Sequence, residues 1–216
     1  MTLFRKYTVT ARKLLSLILL CCTTAAAAQQ AETTAPDALV RNVTGEVLQI
    51  IRSDKDIQSG NNRKAIELIE TRVLPHFNFA HMTQLAVGRD WKSATPAQQK
   101  LLADEFHTLL VRTYSKALTE YRNQPIEVKP LKMTGSETDV KVRTLLNPAS
   151  GKAIPLDYYL EKQPSGWRVY DIEVDGISLV VNYRESFAAE VRAAGIDGLI
   201  KSLQTKNKSG SGGDRK

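Results

Sequence analysis

Residues 95–128 read TPAQQKLLADEFHTLLVRTYSKALTEYRNQPIEV, and a change of period inside this stretch decides the fold. Thr95 offers a capping hydroxyl, Pro96 takes the first helical position, and Gln98 stands three residues after the cap, placed to bond back. The helix this opens is predicted to run to about Arg122. Leu102, Phe106, Leu109, Leu110, Thr113, Tyr114, Ala117, Leu118 and Tyr121 recur along it at helical spacing, a stripe broad enough to be covered over most of its length. At Pro125 the period drops to two. Residues 126–133, 138–146, 154–162 and 167–174 read as strands, separated by turns at Gly135-Ser136, at 147–151 and at Pro164-Ser165-Gly166. A fifth, 177–182, follows the Asp175-Gly176 turn.

Upstream of Thr95, residues 77–87 form a short predicted helix carrying Phe79, Met82 and Leu85. Helices are also predicted over 63–74 and over 37–54, where Leu39, Val43, Val47, Leu48 and Ile51 hold helical spacing. Downstream, 185–194 returns to helix. Gly195 stops it, and Asp197 is placed to cap a last helix to Leu203. Helices, then an antiparallel meander, then helix again is an α+β order. The expected architecture is a curved antiparallel sheet of about four to five strands wrapped against the long helix, plus a helical subdomain. A single domain spans 37–204, with its helical part at about 37–123 and the sheet and C-terminal helices at about 124–204.

The ends read differently. Arg5, Lys6, Arg12 and Lys13 precede the short apolar run 14–22, and Ala25 to Ala28 supply small residues for cleavage, so 1–28 reads as a secretory signal peptide. The run falls short of the roughly 20 apolar residues that span a bilayer. Cys21 and Cys22 both lie within it, preceded by Leu19-Leu20 and Leu20-Cys21, bulkier than a lipoprotein signal peptidase prefers. The mature chain is therefore expected to carry no thiol and to suit an oxidising compartment. Residues 29–36 are expected to be flexible and 205–216 a disordered Gly/Ser/Lys tail. The formal charge of +7 is carried mainly by these two ends. The body is about neutral, which gives no footprint for nucleic acid.

Catalytic signatures are absent: no G-x-S-x-G, no nucleotide-binding glycine loop, no H-E-x-x-H. His76, His81 and His107 do not pair at the i, i+4 spacing of a helical metal site. Asp171 and Glu173 share a strand face, with Asp175 nearby, and paired carboxylates can do acid–base work, although a solvated face is the simpler reading. Arg143, Arg168 and Arg184 are candidates to meet a phosphate or to form ordinary ion pairs. The strands are rich in apolar side chains: Val140 and Val142; Tyr158 and Leu160; Tyr170, Ile172 and Val174; Ile177, Leu179 and Val181. A filled core and a core with a large void both satisfy that pattern.

An ordered series of motifs carries a resemblance: 74–79 (LPHFNF), 87–91 (VGRDW), 94–98 (ATPAQ), 109–114 (LLVRTY), 166–172 (GWRVYDI), 175–180 (DGISLV) and 195–199 (GIDGL). Together these resemble the MlaC/toluene-tolerance Ttg2 family of periplasmic phospholipid-binding proteins, over about 37–203. The resemblance implies a sheet of the nuclear-transport-factor-2/cystatin-like (NTF2/cystatin-like) sort and an apolar pocket for acyl chains, with the headgroup near solvent. It implies a monomeric periplasmic carrier, not an enzyme, with no cofactor beyond the lipid cargo. Its implied partners are an outer-membrane lipoprotein–porin complex and an inner-membrane ABC transporter bearing an MCE-domain subunit. Covering both acyl tails calls for a pocket at the large end of the usual range. Its expected lining is Phe79, Met82 and Leu85 from the short helix; Leu109, Tyr114, Ala117 and Tyr121 from the long helix; and, assuming regular alternation along the strands, Val142, Tyr158, Leu160, Ile172, Val174, Ile177 and Val181. Two other readings stay open: a cone-shaped enzyme using Asp171 or Glu173 as base, and a chaperone for protein-linked acyl chains.

Overall fold

The computed structural model describes residues 34–120 and 124–209, with side chains described for all but 116–120. The expected signal peptide, residues 29–33, the tail from 210 and Tyr121 lie outside the described residues, as does the side chain of Ala117. Among the described residues five α-helices precede the sheet: α1 (Pro36–Ser53), the single turn α2 (Lys55–Gln58), α3 (Asn62–Leu68), α4 (Phe79–Val87) and α5 (Pro96–Glu120). Six strands follow among the described residues, β1 (Ile126–Val128), β2 (Asp139–Val142), β3 (Thr144–Leu146), β4 (Ile154–Gln163), β5 (Gly166–Val174) and β6 (Ile177–Ser178), and then α6 (Arg184–Ser209).

Local chemistry sets the boundaries. The Thr95 hydroxyl accepts the Gln98 N–H at 3.2 Å while the Gln98 side chain accepts the Thr95 N–H at 2.9 Å, a reciprocal cap that starts α5. Asn78 caps α4 by accepting from the His81 N–H, and its own N–H donates to the Val169 carbonyl, tying the helix start to β5. Past α3 the backbone widens into a π-helical turn, Ile69–Val73, then tightens into a 3-10 turn, Leu74–His76. α6 is two helices joined at Gly195, whose φ of 70° and ψ of −175° suit only glycine. Its second half runs to Ser209, beyond the end expected at Leu203, so the first residues of the expected tail are helical.

The sheet is antiparallel, ordered β1-β3-β4-β5-β6, with β2 also pairing β4. Six strands appear where four to five were expected, because the predicted strand 138–146 is broken at Arg143. There the Thr144 N–H turns to the Asp157 carboxylate and its hydroxyl to the Leu156 carbonyl. β1 ends at Val128, shorter than 126–133, two residues before Pro130, which has no N–H for a ladder. β6 is only two residues long. The Asp171 carboxylate takes the Ser178 hydroxyl (2.5 Å) and the Val180 N–H (3.3 Å), and Ser178 Oγ accepts from the Val181 N–H, bending the chain into a 3-10 turn at Val181–Tyr183.

Three apolar clusters hold these parts together. Leu102, Phe106, Phe187 and Leu203 join α4, α5 and α6; Val140, Val142, Leu160 and Trp167 pack Val40 of α1 onto the sheet; Val47, Ile51, Ile57 and Leu68 join α1 to α3. Burying a side chain of this size contributes roughly 1.5–3 kcal/mol. The clusters do not merge into one mass.

Candidate functional site

Where the three clusters meet, a cavity of about 360 Å³ opens. α1 gives it Leu39, Val40, Val43, Thr44, Val47 and Leu48, and the π and 3-10 turns give Ile69, Val73, Leu74 and His76. Phe77, Phe79 and Met82 come from the α4 end, and Leu110, Val111, Tyr114 and Ser115 from α5. The sheet side is Ile126, Leu146, Ile154, Leu156, Tyr158, Val169, Ile172 and Val174, with Leu179 just beyond it. Among the described residues no Lys, Arg, Asp or Glu lines it. Burial holds His76 below its ordinary pKa, favouring the neutral ring, and raises Tyr114 and Tyr158 to about 12, so both phenols keep their protons. The lining can therefore exclude water and cover hydrocarbon, but it cannot neutralise a phosphate. The volume sits near the low end of the roughly 300–1,000 Å³ typical of ligand pockets, smaller than the size expected from sequence.

Of the residues expected to line a pocket, Phe79, Met82, Tyr114, Tyr158, Ile172 and Val174 face this cavity. Leu85 and Leu109 pack instead against the cluster between α4, α5 and α6, because the α5 stripe is shared between two neighbours. Val142 and Leu160 are sealed under the sheet's own cluster, with no surface left to meet a ligand. Ile177 is 61% exposed and Val181 39%. The early end of β6 breaks the alternation that was expected to turn them inward.

The largest omission from the sequence reading is α1, which supplies six cavity residues. Its apolar spacing was visible, but a stripe does not say which neighbour it faces. A second omission comes from the β4–β5 ladder. Tyr159 pairs with Asp171 and Leu160 with Val169, so Tyr170 is an unpaired bulge residue. The extra residue lets Val169 and Ile172 both face the cavity, three positions apart, while Tyr170 stacks on His81 at 4.5 Å.

Asp171 and Glu173 do not face the cavity. Burial raises the Asp171 pKa, and its oxygens are taken up by the Ile172 and Val180 N–H groups and the Ser178 hydroxyl. Glu173 accepts from the Tyr159 hydroxyl (2.7 Å) and pairs with Lys141 (3.1 Å), which also meets Asp157 at 2.9 Å; these contacts lower the Glu173 pKa and raise that of Lys141. Arg184 donates from Nε and Nη2 to the Leu85 carbonyl, closing the end of α4, and Arg168 bonds the Trp167 carbonyl and Ser165. Arg143 is exposed at the break between β2 and β3. Among the described residues no cluster of three His, Cys, Asp or Glu could hold a metal ion, and no helix is long and apolar enough to cross a membrane.

Residues 41–205 match the family model described as MlaC protein. The chain is 25% identical over 174 residues to the intermembrane phospholipid transport system binding protein MlaC of Haemophilus influenzae, covering 79% of this chain and 81% of that protein. It is 26% identical over 164 residues to the toluene tolerance protein ttg2D of Pseudomonas putida, covering 75% of each. A solved phospholipid-binding protein from Ralstonia solanacearum, in complex with a phospholipid, matches with a TM-score of 0.75 and 38% identity, covering 81% of this chain and 98% of that one.

Proposed function

The chain belongs to the MlaC family, and on that premise we propose that it is a non-catalytic periplasmic carrier that holds a phospholipid by its acyl chains. The observation that carries this is a cavity walled by aliphatic and aromatic side chains and, among the described residues, free of formal charge. Each methylene removed from water is worth about 0.8 kcal/mol, which keeps a diacyl lipid from leaving a bilayer unescorted. A concave apolar site supplies what the water gap withholds. The phosphate stays outside, because the lining offers it no cation and burying it unpaired would cost more than the contacts return. The proposed route runs between an outer-membrane lipoprotein–porin complex and an inner-membrane ABC transporter bearing an MCE-domain subunit. With no nucleotide-binding loop in the sequence, the energy for directed transfer would come from that partner.

Denaturing extraction of the purified secreted protein, followed by lipid mass spectrometry, tests the reading. Stoichiometric diacyl phospholipid is the expected result. Recovery of peptides or protein-linked acyl chains in its place would favour a chaperone, and an empty extract would remove the carrier.

A further inference from the structure

Most of the cavity wall is fastened. The strands hold one another through their ladders. α4 is pinned to the sheet: the Asn78 N–H donates to the Val169 carbonyl at 2.8 Å, and Asn78 Nδ2 and His81 Nδ1 meet the two carboxylate oxygens of Glu161 at 2.5 and 3.1 Å. α5 is locked between α4 and α6 by Leu102 and Phe106. α1 is fastened firmly at one end only. Its second half packs Val47 and Ile51 against Ile57 and Leu68, and Glu46 pairs with Arg72 of the π-helical turn at 3.0 Å. Its first half starts at Ala35, which offers no side-chain cap, and rests on the sheet through Leu39 and Val40. The ion pair of this half, Arg41 to Asp37, stays within the helix.

Gly45 lies between those two halves. It is exposed, and a Cβ built on it would meet nothing within 4 Å. No close approach and no left-handed φ calls for glycine there. A glycine inside a helix weakens it relative to alanine, because the chain leaves helical geometry there at less cost. The cavity residues of α1 flank it, Leu39, Val40, Val43 and Thr44 before, Val47 and Leu48 after. About 360 Å³ is small for two acyl tails, so a wall must yield to admit them. Gly45 is the weak point of the least fastened wall.

We infer that α1 is a lid hinged at Gly45, whose first half, residues 36–44, swings off the sheet to admit and release the lipid while its second half stays in place. This rests on the carrier reading and names the moving part of the same site. Lifting the first half uncovers Leu39 and Val40, and an acyl chain entering beneath covers them again. The motion leaves the strand ladders and the grip of Asn78 on Glu161 whole.

The test sets stability against exchange. Purified protein is loaded with a phosphatidylethanolamine bearing one pyrene-labelled acyl chain and mixed with excess phosphatidylcholine vesicles, and transfer is followed by pyrene fluorescence. Gly45→Ala is expected to raise Tm by about 2–4 °C and to slow transfer about fivefold, since alanine stiffens the hinge by as much as it steadies the helix. Asn42→Ala, an exposed change nearly one turn earlier in the same helix, should steady the first half and leave transfer near the wild-type rate. A Gly45→Ala protein that transfers lipid at or above the wild-type rate, or that is no more stable than the wild type, overturns the hinge while leaving the carrier intact. Equal slowing by Asn42→Ala also overturns it, because the whole first half would then be unravelling. Failure of the wild type to take up the labelled lipid overturns the carrier, and the hinge with it.

Discussion

A Cβ placed on Gly198 would lie 2.2 Å from the Cβ of Ala194, one turn earlier across the kink at Gly195. In a continuous helix, side chains four apart are neighbours some 5–6 Å apart at Cβ. The close approach therefore reflects the break in direction that Gly195 imposes. Neither methyl can rotate away, so Gly198→Ala is expected to lose roughly 1–3 kcal/mol, a fall of several degrees in Tm by thermal unfolding. Adding Ala194→Gly should recover most of that loss, because it removes the other half of the clash.

Cavity and exterior can be separated by charge. Ile172→Asp puts an unpaired carboxylate on the cavity wall and should empty the protein of lipid, whereas Ile177→Lys, at an exposed turn, should leave the lipid content at the wild-type level. Lipid mass spectrometry on both variants, with circular dichroism to confirm folding, decides the matter. Retained lipid in Ile172→Asp would place the cargo elsewhere.

Phe187 packs edge-on to Phe106 with centroids 5.3 Å apart, and both are essentially sealed from solvent. Phe187→Ala is expected to destabilise by about 3–5 kcal/mol, the range for a large aromatic lost from a core. The denaturation midpoint should fall with little change in the denaturant slope.

Burial lowers the pKa of both His76 and His107, the latter edge-on to Phe79 at 4.6 Å. The unfolded chain therefore binds protons at a higher pH than the native one. Their neutral forms cost nothing above the ordinary value of 6.5, and stability is lost as pH falls from there through the lowered folded values. His107→Gln should flatten the decline of Tm between neutral and mildly acid pH. An unaltered slope would mean that other groups carry it.

Asp171 and Glu173 provide the check on catalysis. Asp171→Asn and Glu173→Gln should leave both lipid content and lipid transfer near wild type, since neither carboxylate faces the cavity. Loss of transfer with lipid content intact would revive an enzymatic role.

Much of the architecture was legible wherever a signal is local. The Thr95 and Gln98 pair marks a helix start through bonds three residues apart, and Asp175-Gly176 turns β5 into β6 with positive φ at both residues. Faces were harder. Tyr170 looks like a member of the Ile172 and Val174 series by counting in twos. The bulge that removes it depends on which residue of β4 lies opposite, a choice made in three dimensions. Ile177 and Val181 failed as cavity residues for a related reason: the buried carboxylate of Asp171, nine residues upstream, diverts the N–H of Val180 from any ladder.

The π-helical turn at Ile69–Val73 has a consequence for how insertions and deletions would act. A widened turn holds one residue more than α-helical winding needs, and each residue advances the chain by about 100°. Excising a single residue there would tighten the coil to α-helical winding and leave Leu74, His76 and Phe77 close to their phase. Shortening the chain by one would thus be absorbed at the bulge, whereas the same loss midway along α1 would turn the cavity residues on either side of it about 100° out of step.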